Sequence, residues 1–300
     1  MEDELWGALY PLLLRESNLR FRCKHVQFSD AAILAVFFWA VLHDRPISWA
    51  CRLQNWPPQM RWRSLPSPAA MSRRMRTLSV RGLMEALMSA LRETASSSLV
   101  HCVDAKPLPV GGFSKDTDAK WGQAVDSKAK GYKLFSIWSD RSPVPDQWQL
   151  GPMNGCEPLV AATMVRRLDG GGYLLGDAMY DTNPLHQRCA EQGLQLLAPR
   201  KKPGTQLGHQ AHVPSRLRSI ELLEIRPTMK GLGHDCQTFG PSLYACRTAI
   251  ERQYGQMGNF GGGLSPLPNW VRRPHRVAVW LAAKLILNGL RILRNQGLAA

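Results

Sequence analysis

Three carboxylates stand where chemistry would need them. Asp104 closes the short apolar run VHCVD, Asp177 closes YLLGD, and Glu251 lies within YACRTAIERQY. An acid at the C-terminal end of a buried strand is costly unless paired or metal-bound. That edge of an open α/β sheet is also where ligands usually bind. Three such acids meeting would hold two hard cations through oxygen, as Mg²⁺ prefers, with Mn²⁺ able to substitute. Two ions activate an attacking oxygen and stabilise a leaving one in an in-line displacement at phosphorus. Each Asp alone reads equally well as a strand-end turn or a helix cap, and only the conjunction points to a phosphodiester-cutting site. Tyr244, Arg247 and Glu251 are spaced i, i+3, i+7, which predicts that one helix presents all three on one face. Arg247 could orient the carboxylate or contact a phosphate, and Tyr244 could bond a phosphate or pack.

The elements that must carry these residues are legible in outline. Residues 1–97 read as an N-terminal all-helical domain with possible DNA-binding character. Asp30 is a candidate cap for the apolar run 31–42, and Ser67-Pro68 starts a short helix bearing Arg73, Arg74 and Arg76. That helix could be the reading helix of a helix-turn-helix or merely a solvated face. A third helix is expected over 81–93, and the Ser-rich run 94–98 is the linker. From 98 to 300 the texture becomes α/β. Strands are expected at 99–103, 133–139, 147–150, 173–175 and 194–197, and helices at 157–168, 181–192, 241–254 and 274–294. An irregular insertion is expected at about 201–240, with one strand pair near 219–226. The expected fold class is α/β: a mixed sheet flanked by helices.

Composition narrows the class. The 300 residues carry net charge +15 and 44% hydrophobic content. The charge is +5 over residues 1–100, zero over 101–200 and +10 over 201–300. Basic thirds flanking a neutral, acid-bearing middle suit a polyanion, because neutralised phosphates release counterions. The segments Arg200-Lys201-Lys202, Arg216 with Arg218, and Arg272-Arg273 with Arg276 are candidates to track a backbone. Trp62 and Trp270 are candidates either to stack on an unpaired base or simply to pack. Seven cysteines with no CxxC spacing read as reduced core thiols in a reducing compartment. The acidic start lacks a signal-peptide pattern and no apolar run reaches about 20 residues, so a cytoplasmic protein without membrane association is expected. His209 and His212 with Cys236 or His234 make a weak zinc pattern.

The acids also carry a family resemblance. Tyr-x-x-Arg-x-x-x-Glu at 244–251 resembles the signature of the bacterial insertion-sequence transposases of the Tyr-Arg-Glu-Lys group, and Asp177-Ala-Met-Tyr180-Asp181 resembles their second-acid segment. HCVDAKPL and the tail WVRRPHRVAVWLAAKLILNGLRIL are similar to the family's first strand and closing helix. The resemblance implies a ribonuclease H-like catalytic domain and Asp104, Asp177 and Glu251 as catalytic, Mg²⁺-binding residues. It implies an endonuclease that nicks and rejoins DNA at inverted-repeat ends, then joins them to target DNA, as a homodimer. One departure stands out: the family's Lys seven residues after the Glu is Gly258 here. That leaves open a catalytically inactive, transposase-derived DNA-binding protein, and a different ribonuclease H-like nuclease is a third reading. Asp181 is expected to cap a helix behind Asp177.

Overall fold

Near-continuous apolar runs flanked by Gly and Pro form strands covered on both faces. The computed structural model describes residues 2–20, 26–60, 62–202, 207, 211–224, 236–258 and 263–297. By contact density the chain divides into two compact units. One comprises Ser96–Gln256 and Ser265–Leu267, the other Met1–Ala95, Met257–Leu264 and Pro268–Ala300.

The first of these holds a curled, mixed six-stranded sheet: β1 (Val100–Pro109), β2 (Lys120–Gln123), β3 (Lys128–Ser139), β4 (Gln147–Pro152), β5 (Gly172–Leu175) and β6 (Leu194–Leu197). The order is β2-β3-β1-β5-β6, with β4 pairing β3 beside β2. β1 and β3 run antiparallel, whereas β1, β5 and β6 run parallel. The parallel crossovers need helices, supplied by α6 (Glu157–Val165) and α7 (Asn183–Glu191). Val103, Ile137, Leu174 and Leu196 of the sheet pack with Ala161 and Met164 of α6 and Leu185 and Cys189 of α7 in one buried cluster. Gly172 opens β5 at φ +121°, where an added Cβ would collide with the Leu99 carbonyl oxygen, so only glycine fits. Two further helices, α8 (Pro214–Leu223) and α9 (Cys236–Ala245), pack on each other. A Cβ at Gly240 would strike the Leu222 carbonyl.

Two sequence expectations change here. The strand pair near 219–226 is helical as far as it is described, because Pro214 occupies the first turn of α8 and pre-sets its φ; residues 225 and 226 lie outside the described residues. β1 also runs well past Asp104, which sits mid-strand rather than at its end.

The other unit is helical among the described residues: α1 (Glu2–Asn18), α2 (Asp30–Leu42), α3 (Ile47–Ala50), α4 (Pro68–Arg74), α5 (Leu78–Glu93) and α11 (Pro274–Asn295). Leu5, Leu9 and Leu13 repeat at i+4 and are buried, which gives α1 its inward stripe. α2 is buried almost all round. α11 packs against α1, α2 and α5. Ser29, not Asp30, caps α2 through the Ala32 N–H; Asp30 binds Arg74 instead. No described helix is long and apolar enough to cross a membrane.

Candidate active site

Strand register brings the first two acids to the same end of the β1–β5 ladder. Cys102 pairs with Leu175 in the parallel β1–β5 ladder. Asp104 and Asp177 are each two residues beyond that pair, Asp104 still within β1 and Asp177 just past the end of β5. Asp177 leaves β5 to cap the short 3₁₀ turn Ala178–Tyr180, its Oδ1 accepting from the Met179 N–H at 2.7 Å. Asp104 Oδ1 accepts from the adjacent Ala105 N–H at 2.8 Å. Burial pushes the Asp104 carboxyl up to about 6, and the negative charges of Asp177 and Glu157 add to that against the opposing field of Arg247.

The third acid comes from α10 (Thr248–Gly258). The single helix expected over 241–254 is instead two, α9 and α10, joined by a tightened turn at Cys246 and Arg247. The Cys246, Arg247, Ala249 and Ile250 N–H groups bond i−3 carbonyls, and the Thr248 hydroxyl takes the Ala245 carbonyl at 3.0 Å. A Thr hydroxyl competing for a backbone acceptor loosens a regular helix at that point. Tyr244 is therefore in the last turn of α9, Arg247 lies between the helices and Glu251 is in the first turn of α10. Arg247 still reaches Glu251, Nη1 to Oε1 at 2.9 Å. Burial acts to lower the Arg247 pKa, but the fields of Tyr244, Asp104, Glu251 and Asp177 together hold it above its ordinary value.

A residue missed in the sequence ties α10 down. Tyr254, three residues after Glu251 and buried, donates to the Asp104 carbonyl oxygen at 3.1 Å and meets Ser136 Oγ at 2.6 Å. Ile250 and Tyr254 share the buried face of α10. The i+3 spacing from Glu251 was the available signal. Glu157 and Lys133 were missed as well: Glu157 starts α6, adds its field to that at Asp104, and accepts from buried Lys133 at 2.8 Å. Two buried donors near these acids, Tyr180 Oη and Arg247 Nε, have no hydrogen-bond partner among the described residues. Both lie in the fields of Asp104 and Asp177.

The donor set suits a hard cation in type, since Asp104, Asp177 and Glu251 offer carboxylate oxygens and Asp104 is half-buried among like charges. Among the described residues, however, no three His, Cys, Asp or Glu side chains are close enough to form a ready-made cage. Glu251, with its side chain 56% exposed, is the outlying member.

The remaining predicted site residues are dispersed. Arg74 is taken by Asp30, at 2.5 Å, and by the Phe28 carbonyl. Arg73 and Arg76 are exposed, and Arg76 bonds Ser72 on α4. Lys201 and Lys202 are exposed beyond β6, while Arg200 is ion-paired with Glu224. Arg216 is not a surface cation: it forks onto both oxygens of buried Asp181 at 2.7 Å. Burial pushes the Asp181 carboxyl up, but Arg216 and His186 outweigh it and hold it at about 2. Asp181 is thus a buried anchor, and Thr182 precedes α7 as its N-cap residue. Arg272 bonds the Pro268 and Val271 carbonyls, and Arg273 and Arg276 are exposed at the start of α11. Trp62 packs edge-on against Trp56, at 5.2 Å between ring centroids. Trp270 is 40% exposed. His209 and His234 of the zinc pattern lie outside the described residues.

Comparison with known proteins fits this arrangement. Residues 95–286, more than half of the chain, match the family described as the transposase DDE domain, and the chain belongs to that family. Among solved structures it is similar to a piggyBac transposase determined by cryo-electron microscopy as a synaptic complex with hairpin DNA. The TM-score is 0.50 at 9% identity, over 98% of this chain and 74% of that one. At that identity the likeness speaks for the fold alone. No curated protein matches the chain.

Proposed function

We propose that this transposase-family chain cuts and rejoins DNA at its element's inverted-repeat ends, with Asp104, Asp177 and Glu251 as the catalytic acids. The observation that carries the reading is the convergence of Asp104, Asp177, Arg247 and Tyr244 in one another's fields at the end of the β1–β5 ladder. The order of antiparallel strands followed by parallel ones supports a ribonuclease H-like sheet. The Tyr244–Arg247–Glu251 spacing supports the Tyr-Arg-Glu-Lys group of bacterial insertion sequences. The three acids would hold Mg²⁺ or Mn²⁺, which supplies activation of the attacking oxygen and charge neutralisation at the leaving one. Asp104 is ready for a cation once ionised, above about pH 6. Arg247, bonded to Glu251, orients that carboxylate, and Tyr254 fixes Glu251's helix to the Asp104 backbone. Exposed Arg73, Arg76, Lys201, Lys202, Arg273 and Arg276 contact DNA backbone. The working form is a cytoplasmic homodimer holding two DNA ends.

A second reading, a catalytically silent DNA-binding descendant, is favoured by Gly258 at the signature Lys position and by exposed Glu251. One assay separates them. The protein is mixed with duplex bearing its element's inverted-repeat ends, in Mg²⁺ and in EDTA, beside Glu251→Gln. Nicking at the repeat boundary that needs Mg²⁺ and is lost in Glu251→Gln establishes the active enzyme. Tight end binding with no nicking in Mg²⁺ or Mn²⁺ establishes the silent one.

A further inference from the structure

A cavity of ≈ 250 Å³ lies within the helical unit, between α2, α4 and α11. Its floor is apolar: Phe37, Val41, Met75 and Trp280 line it and are buried. Its mouth is cationic. Arg45, Arg76, Arg81, His275 and Arg276 line it, and among the described residues no carboxylate does. All five are exposed at the surface. Trp270 stands at the same wall, 40% exposed. Arg76 is held in place by the Ser72 carbonyl and hydroxyl at 2.9 and 2.8 Å. His275 reports the field there, since burial and then the charges of Arg276, Arg76, Arg81 and Arg273 push its pKa down.

An apolar floor excludes a bare phosphate, and a ring of guanidinium groups with no balancing acid is a poor seat for a neutral ligand. The cavity falls short of the roughly 300–1,000 Å³ that encloses drug-sized molecules. A flat aromatic base beneath an anionic phosphate satisfies both halves, because bases stack on aromatic side chains and arginine forks match phosphate. We propose that this cavity is a nucleotide site: a base enters beside Trp270, and its phosphate rests on Arg76, Arg81 and Arg276. The nucleotide is either an unpaired one within a DNA strand or a free mononucleotide. The strand form rests on the reading of the chain as a DNA-acting enzyme.

The test uses the full chain in EDTA, with binding followed by fluorescence anisotropy. The probes are a fully paired duplex, the same duplex with a one-nucleotide 2-aminopurine bulge, the same with an abasic bulge, and dAMP or dTMP as competitors. The base-bearing bulge is expected to bind about tenfold tighter than the paired duplex, with the abasic bulge returning to the paired value. Trp270→Ala and Arg81→Ala, both surface changes, should each remove the gain, and Trp270→Phe should restore part of it. Displacement of the bulge by dAMP or dTMP, lost in Trp270→Ala, shows that the site also accepts a free nucleotide. An abasic bulge that binds as tightly as the base-bearing one overturns the proposal. So does a gain that survives Trp270→Ala. Paired-duplex affinity and cleavage test the transposase reading separately, and if no duplex binds, the mononucleotide titration alone decides: no Trp270-dependent binding ends the idea.

Discussion

Asp104→Asn should make the metal-free protein more stable above pH 6. The wild-type carboxyl is pushed from 3.8 to about 6 by burial and by Asp177 and Glu157. A raised folded pKa means the protonated form is favoured in the fold. The associated stability is fully present below the unfolded value near 4 and is lost as pH rises through about 6. At 1.36 kcal/mol per unit, about two units amount to about 3 kcal/mol of cost at pH 8 and about 1 kcal/mol at pH 4.5. Asparagine carries no charge, and its amide oxygen can still accept from the Ala105 N–H. Urea unfolding of both proteins in EDTA across pH 4 to 8 should show the variant pulling ahead as pH rises. Mg²⁺ should then narrow the gap, stabilising wild type by about 1.4 kcal/mol at ten times its Kd and leaving the variant unmoved. A variant less stable at pH 8, or a gap that does not change with pH, would refute the reasoning.

Other perturbations separate positioning from binding. Tyr254→Phe removes the bonds to the Asp104 carbonyl and Ser136; stability should drop by about 1–2 kcal/mol, and nicking about tenfold with paired-duplex affinity unchanged, measured on the same preparation. Arg216→Ala strands the buried Asp181 carboxylate and should cost about 3–5 kcal/mol in urea unfolding. Because the Asp181 pKa is held down at about 2, that cost is present above pH 4 and should shrink as pH falls toward 2. Replacing Lys201 and Lys202 by Ala should weaken duplex binding equally for all sequences and lower the salt slope by about one per Lys, as titrations at several salt concentrations would show.

The candidate acids were legible because each is marked locally: an apolar run stops at an Asp, or a helix-period triplet contains a Glu. What was hidden depends on distant partners. Arg216 looked like a surface cation, and only the fold brings it to Asp181, 35 positions away. Nothing in the sequence singled out Tyr254, whose hydroxyl meets a strand 150 positions away. The strand pair near 219–226 was misread because apolar residues recur too densely there for periodicity to choose, while Pro214, the deciding signal, lay five residues upstream. β2 went unseen because an exposed edge strand of sequence KWGQ has no apolar alternation. The split between α9 and α10 was concealed by good helix spacing, and the single hydroxyl of Thr248 marks it.

The Tyr254 tether ends on the main chain of residue 104 and not on its carboxylate. Its hold on α10 is therefore blind to whichever side chain occupies that position. Substituting the acid removes the charge without loosening the neighbouring helix, so position 104 offers a clean experimental knock-out. By the same separation, a chain that loses this acid keeps the tether between β1 and α10, so loss of the charge and loss of the fold are separate events at this position.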